Sequence, residues 1–450
     1  MRLLHILSQR PGRSGSGVFL TALVREAARA GYEQHVIVAG PPGTSAAELA
    51  PLTDEQLSPI CFPSTTAPFP LPGNSDVMPY PTTVFSQMTT SQIAQYLAAS
   101  RHVMESARAR FRPEVVHAHH LWLMTALARE VFVDLPLLAS SHNAELRQMI
   151  KAPHLQPRIL PGVQAIDKVC VLTPHSVTDT VECFGVDPNR IAVTGAGFDG
   201  DLFRFSPTPR AMMIAELREQ FGIALPADEE MRFATFVGRL SSPKGVPFLI
   251  EAATRLATEA PPFRIVLVGA TGSGADGRKM DELVAAAGSL IIHVGAQPQA
   301  AVAKLLQLST VFVLPSLFEG LPLTMLEALA CGCPVIVSAL PTVRSWVPQQ
   351  LQDDGFIELV PALATTHADE PVVADVPRFV AELAAALKRQ LAGNLPTESR
   401  RKLAEKLLPH SWSKVFQRYQ QIYHELLDDE LATKTQWSGS FEKVVHGDVT

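Results

Sequence analysis

The feature that most constrains this chain is an alternation of short apolar runs with stretches of helical periodicity, repeated in two series. In the first series, residues 3–7 are an apolar run, and Gly12, Gly15 and Gly17 follow in a glycine-rich loop. Phe19, Leu20, Leu23, Val24, Ala27 and Ala28 then recur at helical spacing, and Gly31 stops the helix before the apolar run 35–39. The rhythm resumes at 114–119, 135–142 and 168–172. Pro207, Pro209 and Pro226 mark a crossing over 204–228, after which runs at 233–237, 264–268, 290–294, 311–314 and 334–338 form a second series. Strands that alternate with helices build parallel sheets covered on both faces. The expected fold class is therefore α/β, with two doubly wound Rossmann-like domains in tandem and no short-period repeat.

Composition agrees with that architecture. Of 450 residues, 47% are hydrophobic and 18% charged, a balance that supports large buried cores. A net charge of -6 argues against a broad nucleic-acid surface, so no nucleic-acid partner is expected. Five cysteines, Cys61, Cys170, Cys183, Cys331 and Cys333, lack the paired spacing of a disulfide scaffold or a zinc site. The start, residues 1–7, is too short for a signal sequence, and no run of about 18 apolar residues exists. A cytoplasmic location is expected; peripheral attachment to the inner membrane face stays open.

Residues 41–82 break the rhythm. They carry ten prolines, among them Pro59 and Pro79, a density expected to exclude regular elements. Phe62, Phe69, Leu71, Met78 and Tyr80 argue against simple disorder, leaving an acceptor-shaping loop or a passive insertion. Near the end, Trp412, Val415, Phe416, Tyr419, Ile422, Tyr423 and Leu426 sit at three-four spacing behind Ser411, a plausible N-cap. This amphipathic helix needs a partner surface, and 432–450 read as a disordered tail.

Two motifs carry chemistry. In Val237-Gly238-Arg239-Leu240-Ser241-Ser242-Pro243-Lys244-Gly245, a strand ends in a loop with two cations. A rigid guanidinium fork and an ammonium point charge suit a diphosphate. In Pro315-Ser316-Leu317-Phe318-Glu319-Gly320-Leu321-Pro322-Leu323-Thr324-Met325-Leu326-Glu327-Ala328, a strand-end loop bears one glutamate, and a helix opening near Pro322 or Leu323 bears a second. Such loops are where parallel sheets bind ligands, opening amides hold phosphate, and a carboxylate accepts from a vicinal diol. Each motif alone is also ordinary surface chemistry.

Together the two motifs resemble the family 4 (group 1) retaining glycosyltransferases of GT-B fold, two Rossmann-like domains facing across a cleft. Val115-Val116-His117-Ala118-His119, the N-terminal glycine loop and the helix beginning at Trp412 fit as well. The resemblance implies an acceptor-binding domain over 1–205, a nucleotide-sugar domain over 206–410 and a helix over 411–431 that crosses back to the first domain. It implies that Arg239 and Lys244 bind the donor diphosphate, Glu319 the sugar hydroxyls and Glu327 the ribose hydroxyls. Gly320 and the amides of Leu323, Thr324 and Met325 would line the donor, and Val294-Gly295 would meet the base. His142 would reach the sugar, and Gly15 and Gly17 would approach the phosphate from the opposite domain. His142, Glu319, Arg239 and Lys244 are thus the catalytic set. Gly195-Ala196-Gly197-Phe198-Asp199 departs from the family's Asn-Gly-Val-Asp turn, and Pro322 stands where many members have glycine.

The activity implied is metal-independent transfer of a hexose-type sugar from a UDP or GDP donor to a hydroxyl acceptor (a glycan, a lipid-linked acceptor or a small molecule), with no cofactor and no metal ligand. Competing readings are a GT-B epimerase or phosphorylase and a non-catalytic sugar-nucleotide binder. Gly272-Ser273-Gly274-Ala275-Asp276-Gly277 spells a dinucleotide fingerprint, but His293-Val294-Gly295 stands where its acidic residue belongs. Gly12 to Gly17 imitates a phosphate loop, yet Val18 replaces its lysine. His117, His119 and His120 have no nearby carboxylate in sequence and are read as strand-end histidines, not metal ligands.

Overall fold

The computed structural model describes residues 1–12, 14–75, 78, 80–272, 274–366, 370–393 and 395–445, with side chains as far as residue 428. Pro79, Ser273 and the last five residues of the expected tail lie outside the described residues. Seven parallel strands form the first sheet: β1 (Arg2–Leu7), β2 (Glu33–Gly40), β3 (Leu57–Cys61), β4 (Val115–His119), β5 (Leu137–Ser140), β6 (Lys168–Val171) and β7 (Ile191–Val193). Their order is β3-β2-β1-β4-β5-β6-β7. Six more form the second sheet: β8 (Arg232–Val237), β9 (Phe263–Val268), β10 (Ile291–Gly295), β11 (Val311–Leu314), β12 (Val335–Ser338) and β13 (Ile357–Val360), in the order β10-β9-β8-β11-β12-β13. In each sheet the order reverses beside its first strand, where such sheets open a crevice at the carboxyl ends of the strands. Residues 4, 6, 234, 236, 265–267 and 311–313 are buried, as strands covered on both faces require.

Three local expectations change. The glycine-rich loop is shorter than its glycines suggested: helix α1 (Gly15–Arg29) already contains Gly15 and Gly17. Ser14 caps it, accepting from the Gly17 amide at 3.2 Å, and this cap outweighs the helix penalty of the two glycines. The proline-dense segment does hold a strand, β3, paired to β2 with Val38 opposite Pro59. It is tolerated because β3 lies at the sheet edge, where a residue without an amide donor leaves no second ladder broken. The closing helix α4 (Trp412–Val445) runs through much of the expected tail; 432–445 contain no proline, and a formed helix propagates readily until something breaks it. The other helices that matter below are α2 (Ala144–Lys151) and α3 (Leu323–Ala330).

Helix α4 packs on the first lobe. The Trp412 ring meets Phe19 of α1 edge-on at 4.9 Å, and Phe416 meets Tyr32 at 5.9 Å. Tyr419 and Tyr423 are buried: the Tyr419 hydroxyl lies 2.9 Å from the Thr194 hydroxyl that donates to it, and the Tyr423 hydroxyl pairs with His117 Nδ1 at 2.7 Å. Buried tyrosine hydroxyls need such partners, so this helix is positioned by hydrogen bonds as well as by apolar area. Among the described residues, no helix is long and apolar enough to cross a membrane.

Candidate active site

The carboxyl ends of β8 and β11 bring the two sequence motifs together. Ser242 to Lys244 make one 3-10 turn, and Leu317 donates its amide to the Pro243 carbonyl at 2.9 Å, laying the glutamate loop against the cation loop. Lys244 Nζ then lies 2.6 Å from Glu319 Oε1, although 75 residues separate them. Thr342 Oγ1 donates to the Glu319 carbonyl at 2.7 Å and steadies the loop from behind. Arg239 is close enough for Asp276 and Glu319 to support its charge, while burial, first, and Arg147 push its guanidinium below the ordinary value. Asp276 accepts from Ser242 Oγ at 2.6 Å, an anchor that the sequence offered only as part of a false dinucleotide fingerprint.

Glu327 sits in α3, 7% exposed, and no hydrogen bond to its carboxyl group is found among the described residues. Burial, with Asp199 adding repulsion, raises its pKa from 4.5 to about 8. Between those two values the unfolded chain gives up a proton that the folded chain keeps. The empty protein therefore loses stability as pH rises through that window and levels off above it. Glu327→Gln should abolish this component, on the order of a few kcal/mol between pH 5 and 8. Urea unfolding at both pH values checks it; an unchanged slope in the variant would show that the carboxyl group is not the source.

The first turn of α3 presents donors. Its N-cap, Pro322, makes no capping bond, so the Leu323 and Thr324 amides have no partner within the helix. The Met325 amide, in contrast, is spent on the Pro322 carbonyl at 3.2 Å. At the end of β10, the Val294 carbonyl already accepts from Gln297 Nε2 at 2.6 Å and the Gly295 carbonyl from the Gly269 amide at 2.8 Å. That leaves less backbone there for a base than the motif suggested.

The opposite wall comes from the first lobe. His142 follows β5; its Nε2 lies 3.2 Å from His119 Nδ1, and its ring meets Phe19 edge-on at 5.0 Å. Burial, then His120, pushes the His142 imidazole down to about 3, so it is neutral. Gly320 closes the distance between the walls. A side chain there would begin 3.1 Å from Leu172 Cδ1 and 3.3 Å from Asn143 Cβ, so glycine lets the glutamate loop lie a few tenths of an ångström closer to the residue after His142 than a larger residue would. Arg147 of α2 stacks over Phe318 at 4.6 Å, and the His175 amide donates to Ser345 Oγ at 3.2 Å, two further contacts between lobes.

The strand-end histidines lie deeper than the sequence suggested, because β1 adds His5 beside them. His5, His117 and His119 are buried and offer nitrogens within 4.8 Å of one another. Burial holds His5 near 4 and His117 and His119 well below their ordinary value. The His117 and His119 rings stack at 4.5 Å with planes 21° apart, and both His117 nitrogens face hydroxyls, Tyr423 at 2.7 Å and Ser140 at 2.8 Å. Lone pairs of stacked rings run side by side, whereas zinc needs them to converge at about 2.1 Å. The trio is better described as a polar layer under the cleft.

Two parallel-sheet lobes with facing carboxyl-end loops define the GT-B fold. Sucrose-phosphate synthase from Thermosynechococcus elongatus shares it with a TM-score of 0.64 over 95% of this chain and 100% of that one, at 18% identity. Anabaena HepE, in complex with UDP-glucose, shares it with a TM-score of 0.62 over 94% and 100%, at 16% identity. The model of Glycosyltransferase Family 4 matches residues 13–202, and that of glycosyl transferases group 1 matches residues 218–358. The chain belongs to the family 4 (group 1) glycosyltransferases. Curated relatives include D-inositol 3-phosphate glycosyltransferases from Geodermatophilus obscurus, 30% identical over 52% of this chain and 54% of that one, and from Mycobacterium avium, 30% identical over 64% and 66%. The aligned part thus spans about half to two thirds of the curated relatives' length.

Proposed function

We propose that this chain transfers a hexose-type sugar from UDP-sugar or GDP-sugar to a hydroxyl acceptor, with retention of anomeric configuration and without a divalent ion. One observation carries the proposal: Lys244 and Glu319 meet at 2.6 Å beside Arg239, at the mouth of the sheet and under the neutral His142 wall. In this reading a bound donor exchanges the pair's internal contact for its own groups. Lys244 and Arg239 take the diphosphate, supplying the positive charge that a metal would otherwise bring, and Glu319 takes sugar hydroxyls. Charge grows on the departing diphosphate as the glycosidic bond breaks, and preorganised cations stabilise it. A donor phosphate oxygen removes the acceptor proton, and His142 orients the sugar. Glu327 meets the ribose hydroxyls, which supply the hydrogen bonds its buried carboxyl group lacks. The residues over 1–205 shape the acceptor side, with α4 tying the lobes, and the relatives' name makes a polyol phosphate the first acceptor to try.

UDP or GDP should raise the melting temperature in a metal-chelating buffer; at 100-fold excess over Kd, linkage gives about 2.7 kcal/mol. No shift with any nucleoside diphosphate would sink the proposal. Glu327→Ala should weaken nucleotide binding about tenfold or more, the scale of buried ribose hydroxyls left without a partner, whereas Glu319→Ala should mainly lower kcat. Calorimetry with UDP alongside steady-state transfer assays separates the two, and the reverse pattern would overturn the assignment.

A further inference from the structure

His142 is followed after three residues by Glu145, an acidic residue in the first turn of α2. Surface acids at that position are common because they complement the helix dipole. This one is different. Its side chain is wholly buried and joins two separate strand-end loops. Glu145 Oε1 accepts from the His142 amide at 3.0 Å and from the Leu121 amide at 3.4 Å, while Oε2 lies 3.1 Å from His120 Nδ1. Burial alone would push the carboxyl group up, but the hydrogen bonds it accepts, that from His120 foremost, hold the group near 2. An ionised carboxylate only accepts, so His120 carries its proton on Nδ1.

Both loops are turned in a way that ordinary residues avoid. His120 has φ 70° and Asn143 φ 65°, both left-handed without being glycine. Histidine and asparagine enter this region more readily than most residues, and here one buried carboxylate meets both turns. The Asn143 side chain does not cap α2 but pairs with Ser176 Oγ at 3.3 Å, so the carboxylate of Glu145 is what closes the turn onto the His142 amide. The turn it closes is the one on which Gly320 of the opposite lobe rests.

We propose that Glu145 and His120 form a buried positioning pair that holds the His142 ring against Phe19 and His119, facing the donor sugar. The proposal rests on the glycosyltransferase reading above and adds to it two residues that touch no substrate. The pair acts by fixing two strand-end turns with one carboxylate, so that the imidazole approaching the sugar has a single orientation.

The test uses the full chain and compares Glu145→Gln, His120→Gln and His120→Asn by affinity for UDP or GDP, whichever stabilises the wild-type chain, and by kcat, KM and melting temperature. The asparagine amide nitrogen falls near the place of Nδ1 and can still donate to Glu145, whereas the glutamine amide reaches past it. Glu145→Gln and His120→Gln should lower kcat about 10- to 100-fold, the scale of a misplaced reacting group, with nucleotide affinity within about twofold of wild type. His120→Asn should recover activity to within about threefold of wild type. Should Glu145→Gln fail to fold, the two His120 variants decide, because they leave the carboxylate in place. Equal losses in His120→Asn and His120→Gln, following their melting temperatures, would reduce the pair to a structural role and overturn the proposal. A readout independent of turnover is a crystal structure of Glu145→Gln or His120→Gln, in which the His142 ring should leave Phe19; an unmoved ring overturns it too. Failure of the parent reading looks different: wild-type chain would then bind neither UDP nor GDP and transfer no sugar.

Discussion

Lys244→Ala and Arg239→Ala should each slow sugar transfer by about 10²–10³-fold, a loss of roughly 3–4 kcal/mol of transition-state stabilisation. The loss should fall on kcat more than on KM, because the charge these cations meet is larger on the departing diphosphate than on the intact donor. Their setting supports an effect of that size. Burial, first, lowers the Arg239 pKa from its ordinary value while the guanidinium stays charged, and Lys244 is 31% exposed against a Glu319 that is 12% exposed. Both cations are half-buried, so water screens them less than it would a surface ion pair, and their field on a bound phosphate is correspondingly stronger. Lys244→Arg is not a safe control: the planar fork needs a different approach from the ammonium and would meet Glu319 side-on. Steady-state kinetics with the donor identified by thermal shift decides the matter. An alanine variant within threefold of wild-type kcat would remove that cation from the mechanism.

Gly245→Ala should destabilise the second lobe by about 3 kcal/mol or more, among the largest single-residue effects in the molecule. Gly245 has φ +74°, and a Cβ there would lie 2.0 Å from the Pro315 carbonyl oxygen. That oxygen belongs to the backbone of the glutamate loop and cannot swing aside like a side-chain end. Relief requires separating residues 241–245 from 315–319, which would pull Lys244 away from Glu319 and break the Leu317 to Pro243 bond. Activity should fall together with stability. Gly15→Ala is the internal control, since a Cβ there meets nothing within 4 Å, and its melting temperature should match a change within about 0.5 kcal/mol. Calorimetry on the three proteins tests both; a Gly245→Ala chain as stable as Gly15→Ala would mean that the two loops are not locked together.

Much of the architecture was legible because it is local. A strand buried on both faces announces itself as a continuous apolar run, and helical spacing of Phe19, Leu23 and Ala27 announces a helix, without reference to any other part of the chain. β3 escaped for a non-local reason: proline in a strand is tolerated at a sheet edge, and nothing near Pro59 says where the edge will be. Helix α1 began earlier than its glycines implied because the serine cap supplied what they lacked.

For the site, the two charged motifs could be read from strand-end position and residue chemistry, which are properties of a few neighbouring residues. Their partnership could not. That Lys244 meets Glu319, that Glu327 is buried deeply enough to hold a proton, and that Glu145 binds the turns after β4 and β5 all depend on distances between segments far apart in the chain. By itself the sequence determined which stretches become strands and helices and which loops carry charge, since those follow from periodicity and local chemistry. Only the tertiary structure decided which charges face each other and how dry they are, because burial and pairing belong to the space between elements, and that space exists only once the two lobes have packed.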